Sequence, residues 1–292
     1  MTAPTPVWFI TAASSGFGHD IALIALQRGH KVVATARNPE RIRDLAEAGA
    51  DTRAFDVTAP LADMEALAGE VFAEHGRVDY LVNAAGYILT GAVEEATPEQ
   101  TFQQFNTNVF GTINTIKAFL PGMRAQSLGV DGKRGTVVTF GSLGSWRGGA
   151  GFAAYAMTKA CVSSLAESLR DELVPFKISA TVVEPGYFRT GFLNPSAQVL
   201  APEMDAYSGD TPTGRTRRAL VKTDGRQLGD VHKGSEVVVD VLTGSGVAEG
   251  KEVPVRIVLG SDCDGFIRAQ CKETVELLDE WRDVTVSTDY SE

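Results

Sequence analysis

Short apolar, β-branched runs alternate with helical patterns along this chain, and the alternation begins almost at its first residue. The runs fall at residues 7–11, 31–36, 52–55, 80–83, 135–140, 178–183 and 255–259. Helical patterns lie between them at 18–28, 39–48, 61–75, 98–124, 154–174 and 234–242, and a last one at 265–281 follows the final run. Strands that are apolar on both faces need cover on both faces, and helical crossovers supply it. Right-handed crossovers then predict a Rossmann-type, doubly wound α/β sheet of about seven parallel strands with helices on both faces.

The chain reads as one domain over 1–292, long enough for a substantial core. Its rhythm breaks over 194–233, which is rich in Gly, Pro, Thr and Arg and shows little apolar periodicity. A long excursion inside a compact domain is usually a lid or binding loop. Residues 191–233 are therefore expected to form a substrate-binding lid, and 262–284 a C-terminal helix.

Lys and Arg total 27 against 37 Asp and Glu, a net charge of −10. Such a surface repels phosphate backbones and anionic membranes, so neither nucleic acid nor membrane is an expected partner. No apolar stretch approaches the ~20 residues of a membrane span. With no leader pattern, and no retention signal in the closing Tyr290-Ser291-Glu292, the expected location is cytoplasmic. Cys161, Cys263 and Cys271 form no CxxC pair, and His19, His30, His75 and His232 stand singly. No metal site is expected.

After the first strand comes Thr11-Ala12-Ala13-Ser14-Ser15-Gly16-Phe17-Gly18. A phosphate-binding turn needs residues without bulk, so that backbone N–H groups and a helix N-terminus face the pyrophosphate. Gly16 and Gly18 meet that need, and Ser14 and Ser15 add hydroxyls. The same glycines also serve a turn that merely lets a helix pack on a sheet.

The second strand ends Ala34-Thr35-Ala36-Arg37-Asn38, without the carboxylate that would hold a ribose 2′-OH. Arg37 suits a 2′-phosphate, which points to NADP(H). The alternative is a solvated Arg that starts the next helix with Arg41 and Arg43.

Ser142 ends the strand at 135–140, and thirteen residues later come Tyr155 and, at i+4, Lys159. Tyr155 and Lys159 project from one helix face. A free tyrosine has a pKa near ~10, too high for efficient proton exchange at neutral pH. A cation about 4 Å away favours phenolate by roughly 4 kcal/mol at an effective dielectric of 20. Lys159 is therefore expected to draw the Tyr155 pKa down towards neutrality. Tyr155 would exchange a proton with a carbonyl or alcohol oxygen that Ser142 orients. An amphipathic helix with an exposed Lys gives the same spacing, so the case rests on coincidence with the strand-tip Ser and the glycine turn.

These segments resemble the short-chain dehydrogenase/reductase family, in particular carbonyl reductases akin to hydroxysteroid dehydrogenases. The Thr11–Gly18 segment is similar to the family's T-G-x-x-x-G-x-G turn, with Ala12 in place of its first glycine. If position 12 needs positive φ, alanine costs about 1 kcal/mol; if it needs only smallness, one methyl is tolerated. Asn83-Ala84-Ala85-Gly86 resembles the N-A-G motif, Asn108-Val109-Phe110-Gly111 the N-x-x-G position, and Pro185 to Thr190 the P-G-x-x-x-T segment. The match resumes at Pro254 to Asp262.

The resemblance implies a catalytic set of Asn108, Ser142, Tyr155 and Lys159, with Asn108 supporting a proton-relay water. It implies NADP(H) contacts from Thr11, Ser14, Ser15, Gly16, Phe17, Gly18 and Arg37, and from Asp56 and Val57 along the adenine. Further contacts would come from Asn83, Ala84, Gly86, Tyr155, Lys159, Pro185, Gly186, Phe188 and Thr190. It implies reversible ketone or aldehyde/alcohol redox chemistry, and association as a homodimer or homotetramer through helices 98–124 and 154–174.

Tyr87, Ile88, Leu143, Trp146, Arg147, Phe152 and Tyr187, with the 192–232 stretch, are expected to line the substrate end. They suggest a bulky, partly apolar carbonyl compound such as a polycyclic, lipid or secondary-metabolite ketone, or else simply cover the core. Arg215, Arg217 and Arg218 either meet an acidic group or are solvated. A non-redox enzyme on this scaffold (cyclase, isomerase, dehydratase or dehalogenase-like) is the alternative. A protein that only senses NADP(H) is a third reading.

Overall fold

The computed structural model describes residues 4–129, 131–194 and 198–290. Positions 195–197 of the expected lid, and the closing residues 291–292, lie outside the described residues.

Seven strands form one parallel sheet: β1 (Val7–Ile10), β2 (Lys31–Ala36), β3 (Asp51–Ala54), β4 (Tyr80–Asn83), β6 (Gly135–Phe140), β7 (Ile178–Pro185) and β9 (Arg256–Leu259). Their spatial order is β3-β2-β1-β4-β6-β7-β9. Two short strands, β5 (Leu89–Thr90) and β8 (Val199–Leu200), pair separately.

Successive residues of a strand point to opposite faces, and both faces here are apolar. Trp8 and Ile10 of β1 pack with Val32, Ala34, Val82 and Val138 on one side. Phe9 packs with Val33, Leu81 and Val137 on the other. Helices α1 (Gly16–Gln27) and α8 (Val231–Thr243) close the first face through Ile21, Ile24, Val238 and Leu242. Helices α3 (Leu61–His75), α5 (Gly111–Ala125) and α6 (Ala153–Glu172) close the second through Met64, Val71, Phe119 and Leu169.

The doubly wound architecture follows the sequence pattern, and the departures are local. The helical pattern at 39–48 is a 3-10 turn, Pro39–Ile42, followed by α2 (Arg43–Glu47). The pattern at 98–124 is two helices, α4 (Pro98–Phe105) and α5, joined by one π-helical turn at Asn106–Phe110. The stretch expected to be irregular contains α7 (Pro212–Thr223), started by the Thr211 hydroxyl, which accepts from Gly214 N–H, and by Pro212 in the first turn. That Thr-Pro start was legible in the sequence; the weak periodicity hid it. The C-terminal pattern is α9 (Ser261–Glu280), continued by α10 (Arg282–Val286). No helix among the described residues is long and apolar enough to cross a membrane.

Candidate active site

Strand order reverses beside β1, where β2 lies on one side and β4 on the other. Loops from the C-terminal strand ends diverge at such a point and leave a crevice. A cleft of about 570 Å³ opens at this end of the sheet, within the size range of small-molecule sites.

One end of the cleft is built from backbone. Ala12, Ser14, Ser15, Gly16, Phe17 and Gly18 line it. Ala12 and Gly16 both hold left-handed backbone, φ +53° and +58°, so position 12 does need the conformation that alanine adopts at a cost. A Cβ on Gly18 would come 2.9 Å from the Ala12 carbonyl oxygen; its absence lets α1 seat against the turn. Ser15 precedes the helix but makes no side-chain cap. The first N–H groups of α1 have no intrahelical acceptor and are free to receive an anion, as a dinucleotide pyrophosphate requires.

Arg37 and Arg41 line the far rim and are exposed. Among the described residues neither guanidinium has a hydrogen-bond or ion-pair partner, whereas Arg43 is paired with Glu40. Among the described residues, no Asp or Glu lines the cleft. The donors, the glycines and the charge of this end fit a phosphorylated dinucleotide. Arg41 was not among the residues expected here.

Ala84, Gly86, Pro185, Gly186, Phe188 and Thr190 also line the cleft. Gly186 is constrained by Asp262: a Cβ there would lie 2.1 Å from its Oδ1, and Asp262 Oδ2 accepts from Tyr187 N–H at 2.7 Å. Four residues read as cofactor contacts do not form the lining. Thr11 Oγ1 accepts from Ala84 and Ala85 N–H at 3.0 and 3.1 Å, bolting β1 to the end of β4. Asn83 is buried, and its Nδ2 donates to the Val138 carbonyl at 3.2 Å. Asp56 accepts from Thr58 N–H and Oγ1–H at 2.9 and 2.7 Å. The Val57 carbonyl oxygen would lie 2.6 Å from a Cβ on Gly111.

The other end is built from side chains. Ser142 follows β6, and Tyr155 and Lys159 stand one turn apart on α6. All three line the cleft. A Cβ on Gly144 would be 3.7 Å from Ser142 Oγ and 3.8 Å from the Tyr155 ring. Asn108 sits in the π turn, a device that inserts one residue and redirects side chains. Its Oδ1 accepts from Tyr87 N–H at 3.1 Å, and its Nδ2 donates to Thr158 Oγ1 at 3.0 Å. A Cβ on Gly86 would come 3.3 Å from Asn108 Oδ1 and 3.5 Å from Lys159 Nζ, so the bare backbone there brings Asn108 and Lys159 to one spot.

The Tyr155 pKa corrects the expectation drawn from spacing. Burial pushes the phenol up to about 12, and a hydrogen bond with Ser142 opposes this. Lys159 does not offset the burial. Its ammonium donates to the Phe140 carbonyl at 2.6 Å and lies 5.6 Å from the centre of the Tyr155 ring. Burial brings Lys159 itself down to about 8. The i, i+4 spacing put the two side chains on one face, but a competing acceptor directed the charge.

A polar network that the motifs did not reveal anchors Ser142. Glu184, fully buried on β7, pairs with Arg256 and accepts from Trp146 Nε1–H at 2.9 Å and Ser163 Oγ–H at 2.7 Å. Ser163 Oγ lies 2.9 Å from Ser145 Oγ, which accepts from Ser142 N–H at 3.1 Å. A Cβ on Gly141 would crowd Ser163, Ser145 and Glu184 at 2.7–3.0 Å. A lone Glu inside an apolar strand was the available signal.

At the substrate end, Tyr87, Ile88, Leu143, Phe152 and Tyr187 line the cleft as expected from sequence, joined by Phe192, Leu193 and Leu220 of the lid stretch. Trp146 and Arg147 do not. Trp146 is drawn to Glu184 beneath Arg256, and exposed Arg147 pairs with Glu273. Arg217 pairs at 2.6 Å with Glu95, whose side chain is fully buried and also accepts from Ala92 and Met204 N–H. Arg215 and Arg218 pair with exposed Asp210. None of the three arginines lines the cleft.

Among the described residues, Asp51, Glu74 and His75 gather metal-ligand atoms at the opposite end of β3. The Arg53 guanidinium already pairs with both carboxylates.

Comparison with known proteins follows the same geometry. A family model described as short chain dehydrogenase matches residues 6–200. The chain is 32% identical over 288 residues to the oxidoreductase BOA17 of Botryotinia fuckeliana, covering 97% of this chain and 99% of that one. It superposes with a TM-score of 0.86, at 36% identity, on a short-chain dehydrogenase from Streptomyces avermitilis, covering 99% and 100% of the two chains. A short-chain dehydrogenase/reductase from Burkholderia phymatum, in complex with NAD, shares the fold at TM-score 0.72 and 21% identity, covering 100% of this chain and 99% of that one.

Proposed function

The chain belongs to the short-chain dehydrogenase/reductase family of nicotinamide-dependent oxidoreductases, and on that premise we propose that it is an NADP(H)-dependent carbonyl reductase. The reading rests on one arrangement: Ser142, Tyr155 and Lys159 stand together in a cleft whose other end is the bare Ala12–Gly18 turn.

Bound nicotinamide supplies or accepts a hydride; the remaining chemistry falls to this chain. Ser142 orients a substrate oxygen beside the phenol. A phenol held well above neutrality keeps its proton at physiological pH, which makes Tyr155 a donor to a carbonyl oxygen and suits the reductive direction. Below about pH 8 Lys159 carries a charge, which the Phe140 carbonyl holds in the cleft beside Gly86 and Asn108, where it would meet bound cofactor. Asn108 holds the Tyr87 backbone beside Lys159.

Arg37 and Arg41, together with the lack of a carboxylate in the lining, favour a 2′-phosphate. The NAD in the Burkholderia phymatum protein belongs to a chain of low identity and does not bear on this preference. Ile88, Leu193 and Leu220, with Phe152, Tyr155 and Phe192 packed against them, favour a bulky, partly apolar ketone.

Calorimetric titration with NADPH and NADH tests the cofactor. Wild type should favour NADPH, and Arg37→Ala should weaken NADPH at least about tenfold while leaving NADH unchanged. Equal affinity for both in wild type would remove the NADP assignment. A panel of aromatic and alicyclic ketones, followed through NADPH oxidation, tests the reaction; tight NADPH binding without turnover of any ketone would favour the non-redox reading.

A further inference from the structure

The side chain of Glu184 is fully buried, and the reaction described above makes no use of it. Burying a carboxylate is costly unless an opposite charge and hydrogen bonds compensate. Arg256 supplies the charge, and Trp146 Nε1–H and Ser163 Oγ–H donate at 2.9 and 2.7 Å. Sheet register fixes where this group stands. Phe140 of β6 pairs with Val183 of β7, so Glu184 lies beside Gly141, the residue before Ser142. The bare Gly141 leaves room for the network, since a Cβ there would come 2.7 Å from Ser163 Oγ and 2.8 Å from Ser145 Oγ.

The hydrogen bonds run in one direction. A carboxylate only accepts, and each hydroxyl has one proton. The Ser163 proton goes to Glu184, which leaves the Ser163 oxygen as an acceptor facing Ser145 Oγ, 2.9 Å away. Ser145 Oγ accepts in turn from Ser142 N–H at 3.1 Å, and it lies 3.0 Å from the Lys159 carbonyl. One hydroxyl therefore touches both segments of the catalytic group, the tip of β6 and the Lys159 turn of α6. Ser142 Oγ accepts from Gly144 N–H at 3.2 Å. Its own proton is left for an acceptor in the cleft.

The backbone of Glu184 runs directly into Pro185 and Gly186, which line the cofactor end of the cleft. One residue thus joins the backbone beside the cofactor to the turn that carries Ser142. Reduction of a carbonyl needs its proton and hydride donors aligned, and a misplacement of about 1 Å can cost on the order of 10²-fold in rate.

We propose that Glu184, acting through Ser163 and Ser145, is a positioning residue that holds the Ser142 hydroxyl aimed at the substrate oxygen. Its effect on rate rests on the carbonyl-reductase reading; the hydrogen-bond chain does not.

Ser163→Ala tests it, because this change cuts the chain while Glu184 keeps Arg256 and Trp146. In that variant kcat for ketone reduction should fall at least about tenfold, with KM for the ketone and the NADPH dissociation constant changed less than about twofold. A double-mutant cycle separates aiming from general damage. On a Ser142→Ala background, Ser163→Ala should cost less than about twofold, because the group it aims is gone. The full loss on that background, or an undiminished kcat in Ser163→Ala alone, would overturn the proposal. Amide hydrogen exchange at Ser142, followed by NMR, needs no substrate. It should quicken at least about tenfold in Ser145→Ala and measurably in Ser163→Ala, while the β6 amides stay protected. Unchanged exchange in both variants would overturn the chain. A wild type that reduces no ketone would remove the carbonyl-reductase reading, and the exchange rates would then decide the chain by themselves.

Discussion

The two ends of the cleft are held in different ways. The nucleotide end is set by backbone: a left-handed turn at Ala12 and Gly16, a helix N-terminus, and the close seating of Gly18. The substrate end is set by side chains that meet across long sequence separations. Glu95 grips Arg217, Tyr207 donates to Glu94 at 2.6 Å, and Gln100 donates to the Leu200 carbonyl at 3.2 Å. Backbone turns of one shape can recur under many sequences, whereas a latch made of a few side chains is particular to the chain that carries it. Between the two ends stand Ser142, Tyr155 and Lys159, which need both.

This contrast is open to direct attack. The largest effect is expected at the junction, where Tyr155→Phe should lower ketone reduction by at least about 10²-fold and leave the NADPH dissociation constant nearly unchanged. Retained activity in that variant would break the catalytic assignment.

Next comes the latch. Arg217→Met strands the buried Glu95 carboxylate, at a cost of about 3 kcal/mol. The Ala92 and Met204 N–H groups still hold that carboxylate, so the fold should survive. KM for the ketone should rise at least tenfold while NADPH affinity holds; equal loss of both would mean that the two ends are not separable.

The pH profile of reduction sharpens the role of the junction. Lys159 titrates near 8, and raising the pH removes its charge. The rate should be flat below 8 and fall above it, approaching tenfold per pH unit for a single required ionisation. A rate that climbs between pH 8 and 9.5 would contradict a charged Lys159 in the reductive step.

The smallest effect belongs to the backbone end. A left-handed alanine costs about 1–2 kcal/mol, and the greater freedom of glycine in the unfolded chain takes back about 0.5–1. Ala12→Gly should therefore stabilise the protein by up to about 1.5 kcal/mol, raising Tm by up to about 2 °C in calorimetry. A destabilised glycine variant would show that the turn is not strained at position 12.

The sequence by itself determined the architecture, the glycine turn and the grouping of Ser142, Tyr155 and Lys159. Each follows from a local rule: strand period, absence of a side chain, and the rise of a helix per residue. These rules need no knowledge of which segments meet. Boundaries were less legible, because the π turn at Asn106–Phe110 and the 3-10 turn at Pro39–Ile42 keep a helical pattern while changing its hydrogen bonds.

Only the tertiary structure decided where charges and polar atoms found partners. It turned Lys159 to the Phe140 carbonyl, drew Trp146 out of the cleft to Glu184, tied Arg217 to Glu95, and left Leu277, Leu278 and Trp281 exposed. These outcomes are competitions between groups up to 122 residues apart. A buried polar group takes the best partner that packing brings near it, and which partner that is depends on the assembled fold.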